Sequence, residues 1–107
     1  MKATYWQKGE VLDFTSTEDV KNGQVVPIGS RVGVAGSDIP AGEQGHLHVV
    51  GVFEMDKAAE EITMGTALYY DKNNDCVTAT AEENTPAGYA AAPAKTTDAT
   101  VLVKLLG

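Results

Sequence analysis

The sequence lacks the residues from which disulfides, membrane-spanning helices and nucleic-acid sites are built. It has one cysteine in 107 residues, so it can form no internal disulfide and no cysteine cage for a metal. No apolar run approaches the ~20 residues that a membrane span needs. Eight scattered Lys and Arg stand against fifteen Asp and Glu, for a net charge of -7. Because duplex binding needs clustered basic residues, we expect neither nucleic acid nor membrane as a partner.

Motifs for catalysis and cofactor binding are missing as well. No Gly-Lys-Ser or Gly-Lys-Thr follows the glycine-rich stretch 33–45, so the sequence has no phosphate loop. The serines lie in predicted turns with no base-bearing motif around them. The adjacent carboxylates at 60–61 and 82–83 lie in polar segments and are typical of a solvated face. We therefore expect no catalytic residue, no cofactor and no enzymatic activity.

His46 and His48 form the one pattern that resembles a metal site. Alternate residues of a strand share a face, so both imidazoles could approach one ion. Zinc would need further ligands from elsewhere in the chain, and Cys76 is the one soft candidate. We interpret the two histidines as solvent-facing strand residues and predict no metal ligand.

Short alternating segments separated by Gly, Pro, Asn and Asp indicate an all-β domain. We predict a small β-barrel or sandwich of about seven or eight short strands, with at most one short helical turn, at residues 56–62. The most regular alternation lies in residues 46–55, which we predict as one central strand. Gly51 would mark a bulge or a close approach within that strand. The other strands are predicted at 11–15, 24–28, 31–35, 66–70, 76–80, 88–94 and 100–106.

Three details of these strands carry further predictions. Pro27 has no N–H, so its strand lies at a sheet edge or Pro27 lies at a bulge. The last strand is apolar on both faces, which is typical of a central strand or a subunit contact. Gly23 and Gly65 begin similar segments that lead to Pro-Ala-Gly at 40–42 and 86–88. This similarity is either a duplicated three-stranded unit or the ordinary recurrence of such turns in small β domains.

We predict an N-terminal arm at residues 1–9 and a single β domain at residues 10–107. The arm contains Tyr5 and Trp6, and large aromatic side chains need something to pack on. They could cover one end of the domain's own core. They could also anchor on a partner chain, since Trp and Tyr are enriched at interface hot spots.

Residues 23–45 have the pattern G-x-V-V-x-I-G-x-R-V-G-V-A-G-x-D-I-x-A-G-E-x-G. They are followed by the segment His48-Val-Val-Gly-Val-Phe-Glu-Met55. Together with residues 62–70, 85–90 and 99–106, they resemble a family of small tailed-phage and prophage proteins described as capsid cement or head decoration proteins. Members of this family are often mislabelled as phage recombinases. That label conflicts with this sequence, because it has neither a phosphate loop nor a basic path for DNA.

The resemblance implies a compact β domain that docks on the assembled capsid and stabilises it, with the major capsid protein as its partner. It also implies a homo-oligomer, with a trimer favoured, located on the capsid surface of the virion and made in the bacterial host cytoplasm. We take Tyr5 and Trp6 as the first candidates for the capsid-facing surface. The turn residues Pro40, Gly42 and Glu43 are the second choice. Alternatives are another virion component, from the tail or from head completion, and a small β-barrel binding module.

Overall fold

The computed structural model describes residues 1–106, and these residues form nine β-strands. The strands are β1 Val11–Thr15, β2 Val25–Ile28, β3 Arg31–Ala35, β4 Gln44–His48, β5 Val52–Asp56, β6 Ala67–Asp71, β7 Cys76–Thr78, β8 Thr85–Ala90 and β9 Thr100–Leu105. Residues 1–106 contain no helix, which agrees with the prediction of at most one helical turn, and the segment 56–62 that could have formed that turn is not helical. In its place, Lys57 and Ile62 form isolated bridges with Val77 and Ala94, because tertiary pairing overrides a weak local preference. None of these residues lies in an apolar helix long enough to cross a membrane.

The strands form two open antiparallel sheets that pack against each other. The four-stranded sheet has the order β1-β4-β3-β2, and the five-stranded sheet has the order β5-β9-β8-β6-β7. The edge strands β5 and β7 meet only through the parallel Lys57–Val77 bridge, beside which Ala58 N–H donates to Val77 O at 2.9 Å. The five-stranded sheet is therefore curved but not closed. The all-β prediction is confirmed as two sheets, not as a closed barrel.

The predicted central strand at 46–55 is wrong as a single element. Its first part is β4 in one sheet, and its second part is β5 in the other. The chain crosses between the sheets at residues 49–51, where Gly51 has a φ of 125° that a side chain would strain. Main-chain hydrogen bonds hold the crossing: Val49 N–H donates to Glu10 O, and Leu105 N–H donates to Gly51 O. Gly51 marks a change of sheet, not a bulge in a continuous strand.

The two halves of the chain, residues 11–48 and 52–105, repeat one topology. The order β1-β4-β3-β2 of the first half matches β5-β9-β8-β6 of the second, with β7 added at the edge. Gly23 N–H donates to Ala35 O, and Gly65 N–H donates to Ala90 O, both at 2.8 Å. The match between the two glycines is thus confirmed, although each unit has four strands and not three.

The Pro-Ala-Gly part of the predicted repeat is wrong. Residues 40–42 form the turn before β4, whereas residues 86–88 lie inside β8. The turn before β9, at residues 95–98, occupies the place that corresponds to 40–42. An isolated bridge precedes each of these turns, Val20–Ile39 in the first half and Ile62–Ala94 in the second.

Two apolar cores result from this arrangement. The larger one fills the inner face of the five-stranded sheet and is covered by Val32 and Val34 of β3, with Val25 packed against them. The smaller one lies on the other face of the four-stranded sheet, where Val20 and Ile39 cover Ala35 and neighbouring residues. Strand β3 contributes to both cores because successive side chains point to opposite faces.

Two predictions about strand position are confirmed. Pro27 lies in β2, an edge strand that pairs only with β3. Strand β9 is central, between β5 and β8, with Val101, Val103 and Leu105 buried in the larger core. On its outer face Leu102 is exposed.

Candidate partner-binding surfaces

The arm extends from the four-stranded sheet without covering it. Residues 1–9 form no strand, and Tyr5 and Trp6 are 82% and 88% exposed. The aromatic pair therefore does not cover the domain's own core, and a partner chain is the remaining interpretation of the two. The arm holds Lys2 and Lys8 and no acidic residue. All fifteen acidic and six of the eight basic residues follow it, so the arm carries +2 and the rest of the chain -9.

The turn at residues 40–43 is fixed to the far end of β1. Gly42 N–H donates to Ser16 O at 2.7 Å, and Ser16 N–H donates to Glu43 O at 3.2 Å. Ala41 N–H donates to a carboxylate oxygen of Asp19 at 2.9 Å. These bonds hold the backbone of the turn, while the side chains of Pro40 and Glu43 remain exposed to a partner.

The arm and the turn adjoin opposite ends of strand β1. The arm joins β1 at Val11, which pairs with His48, whereas the turn adjoins Thr15, which pairs with Gln44. A five-residue strand is roughly 17 Å long. The points at which the arm and the turn adjoin the sheet are therefore separated by the length of β1.

A groove of about 500 Å³ lies between the two sheets, and sequence reasoning did not find it. Its apolar lining comes from residues far apart in the chain, namely Val25, Val34, Phe53, Met55 and Val77. Asp75 and the edge strand β5 also line it, but Glu54 and Asp56 alternate with the inward-facing Phe53 and Met55, and the Glu54 carboxylate accepts a hydrogen bond from Thr100 on the outer face. The one sequence feature that relates to the groove is the alternation of apolar and acidic residues in β5. The other lining residues come from segments that no local sequence pattern connects to β5.

Two ionisable side chains that line the groove, Tyr70 and Cys76, have raised pKa values. Burial, together with a hydrogen bond donated to Asp75 at 2.7 Å, raises the pKa of Tyr70 and keeps its phenol neutral. Burial, followed by the charges of Asp71 and Asp75, raises the pKa of the Cys76 thiol. A protonated thiol is a poor nucleophile, so the groove does not present an activated cysteine.

The histidines share one strand but have different surroundings. His46 is exposed, as predicted, with Nε2 3.4 Å from Asp13 Oδ1. His48 is half-buried, contrary to the prediction, and its ring lies 6.2 Å from that of Phe53, centroid to centroid. Within residues 1–106, no three His, Cys, Asp or Glu side chains are grouped closely enough to hold a metal ion.

Within residues 1–106 the geometry thus offers exposed contact surfaces, and the cysteine in the groove is not activated. When the sequence is compared with known protein families, the family model of the phage cement proteins matches residues 6–105 of the chain. The chain belongs to the phage cement protein family. Cement proteins are structural proteins of phage capsids, so membership assigns a structural role associated with the capsid. No curated protein and no solved structure matches the chain.

The family match covers both halves of the repeat and almost all the candidate contact residues. It begins at Trp6 and includes Pro40, Gly42 and Glu43, while Tyr5 lies just before it. Membership in the cement family therefore confirms the resemblance found in the sequence. It says nothing of which surface faces which partner.

Proposed function

We propose that this protein binds the assembled phage head and stabilises the shell without any catalytic step. The observation that carries the proposal is the match to the cement family over residues 6–105. The partner is the major capsid protein, at the places where capsomers meet. A protein that binds the assembled shell but not its free subunits shifts the equilibrium toward the shell by mass action. Oligomerisation, with a trimer favoured, multiplies many weak contacts through effective concentration.

The contact residues belong to two surfaces at opposite ends of β1. One is the arm with Tyr5 and Trp6, and the other is the turn with Pro40, Gly42 and Glu43. We assign one of them to the major capsid protein and the other to a neighbouring copy on the capsid surface.

Binding to heads tests the proposal directly. Protein made in the bacterial host is mixed with expanded, undecorated heads of the parent phage and cosedimented. We expect saturable binding at a fixed ratio to the major capsid protein and a higher melting temperature of the shell. A soluble protein that does not bind heads would contradict the proposal.

Two variants locate the contact with the head. Glu43→Lys alters the exposed turn, and Glu82→Lys makes the same charge change at an exposed position elsewhere. If the turn faces the capsid, Glu43→Lys weakens cosedimentation and Glu82→Lys does not. Deletion of residues 1–8 tests the arm in the same assay. If the variants and the parent protein bind heads equally well, neither the turn nor the arm contacts the head.

A further inference from the structure

We propose that the groove of one copy receives the N-terminal arm, residues 1–9, of a second copy. The inference rests on the proposed function and deepens it, because it names a neighbouring copy as the partner of Tyr5 and Trp6. It leaves the turn at 40–43 for the major capsid protein. Four features of the molecule support it: charge, apolar lining, a free strand edge and the course of the arm.

The charges of the arm and the groove are complementary. The arm carries Lys2 and Lys8, whereas Asp75 lines the groove and the carboxylates of Glu54 and Asp56 lie on the outer face of the adjoining edge strand β5. Two copies of the acidic domain repel each other, so a basic arm is the part of the chain best suited to bring them together.

The lining of the groove suits aromatic side chains. Phe53 and Met55 of β5 face Val25 and Val34 of the other sheet across the groove. Its volume of about 500 Å³ lies within the roughly 300–1,000 Å³ typical of binding clefts. Tyr and Trp are the side chains that most often anchor interfaces in such apolar pockets. The arm brings both on adjacent residues.

Strand β5 presents a free edge to the groove. It pairs with β9 on one side only, and on its other side residues 1–106 supply just the Lys57–Val77 bridge beyond its end. The unpaired N–H and C=O groups of an edge strand are a template for an added extended segment. Nine residues of extended chain reach roughly 30 Å. The arm is therefore long enough to lie along the five residues of β5.

The arm of a single copy lies away from its own groove. It leaves the sheet at Glu10, whose carbonyl accepts a hydrogen bond from Val49, next to the groove residue His48. Although the groove is this close, Tyr5 and Trp6 point into solvent. Exchange between copies buries them. An arm that enters the next copy makes a heterologous contact, which can close into a ring such as the expected trimer.

The single native cysteine makes the exchange measurable, because Cys76 lines the groove. Tyr5→Cys and Trp6→Cys each add one thiol to the arm and keep the other aromatic anchor. Full-length protein is oxidised with diamide at pH 8.5–9 and run on non-reducing gels. We expect disulfide-linked dimers and higher species that dithiothreitol removes.

Two controls and two contrary outcomes define this test. The same variants with Cys76→Ser, and Met64→Cys at an exposed site away from the arm, should stay monomeric on the gel. An intramolecular disulfide would show that each arm enters its own groove, and this would overturn the proposal. No disulfide with either arm variant would overturn it too and favour the capsid protein as the partner of the arm.

A charge exchange gives a second, independent measurement. Glu54→Lys with Asp56→Lys reverses the charge of the groove rim, which is formed by the outer-face carboxylates of strand β5, and light scattering without heads should show self-association weakened about tenfold. Adding Lys2→Glu and Lys8→Glu should restore it. The matched control is Glu61→Lys with Glu82→Lys, outside the groove. Unchanged association with the reversed rim would contradict the proposal. Since no heads are present, a failure here leaves head binding to its own test.

Discussion

Replacement of Gly88 by alanine tests the closest approach of two strands in the molecule. Gly88 lies in β8 opposite Leu105 of β9. A Cβ at this position would overlap the carbonyl oxygen of Lys104 and lie 2.8 Å from its carbonyl carbon. Both obstacles are backbone, so the side chain of Lys104 cannot relieve them by turning away. The two strands must separate, and the ladder between them must weaken.

The loss of stability in Gly88→Ala can be estimated from the close packing at this position. Overpacking costs about 1–3 kcal/mol and sometimes more, and lost main-chain hydrogen bonds add about 1 kcal/mol each. We expect Gly88→Ala to lower the free energy of unfolding by about 3 kcal/mol or more, out of the roughly 5–15 kcal/mol typical of a domain. The urea midpoint at one protein concentration should fall by about 1–3 M.

Two other glycines serve as matched controls. At Gly36 a Cβ would meet Nε2 of His48 at 2.9 Å, the far end of a side chain that can move. At Gly33 it would meet the Cβ of Leu47 at 2.9 Å, inside the sheet. The loss should increase in the order Gly36→Ala, Gly33→Ala, Gly88→Ala. A Gly88→Ala variant within about 0.5 kcal/mol of the parent protein would refute the close approach of β8 and β9.

Two further predictions concern the groove. The folded state raises the pKa of Tyr70, so the stability that this group contributes is complete below the ordinary tyrosine pKa of about 10 and is lost as the pH rises above it. Urea midpoints measured from pH 7 to 11 should therefore fall less in Tyr70→Phe than in the parent protein. Burial and nearby carboxylates raise the pKa of Cys76, so iodoacetamide should modify this thiol more slowly at pH 8 than it modifies a free thiol. In Asp75→Asn, the midpoint of the modification rate plotted against pH should move to lower pH. An unchanged midpoint in Asp75→Asn would contradict the effect of the Asp75 charge on the pKa of Cys76.

Local patterns in the sequence were sufficient to predict most of the strands. The alternation in residues 11–15 and 31–35 predicted β1 and β3, and the missing N–H of Pro27 predicted an edge strand. Alternation at period two shows that one face is buried, and this holds whichever sheet buries it. For the same reason the pattern at 46–55 could not reveal that the chain changes sheet at Gly51, since both parts keep an apolar face toward a core.

The candidate site was only partly accessible to the same reasoning. The aromatic arm and the Pro40–Glu43 turn could be singled out because exposed aromatic residues and glycine turns have local signatures. The groove could not, because Val25, Phe53 and Val77 meet there only after three distant segments have paired. The raised pKa of Cys76 likewise depends first on burial, which the folded chain creates, and also on the charges of Glu60 and Asp56, which come from another segment.

The sequence by itself determined the all-β class, the family, the acidic domain with its basic arm, and the lack of any catalytic or phosphate-binding motif. These properties depend on residue identity and on spacing over a few residues. The tertiary structure decided which strands pair, that two four-stranded units repeat with β7 added to one, and that their packing leaves an acidic groove beside a free edge of β5. Pairing between distant strands is selected by the packing energy of the whole chain, which no short segment contains.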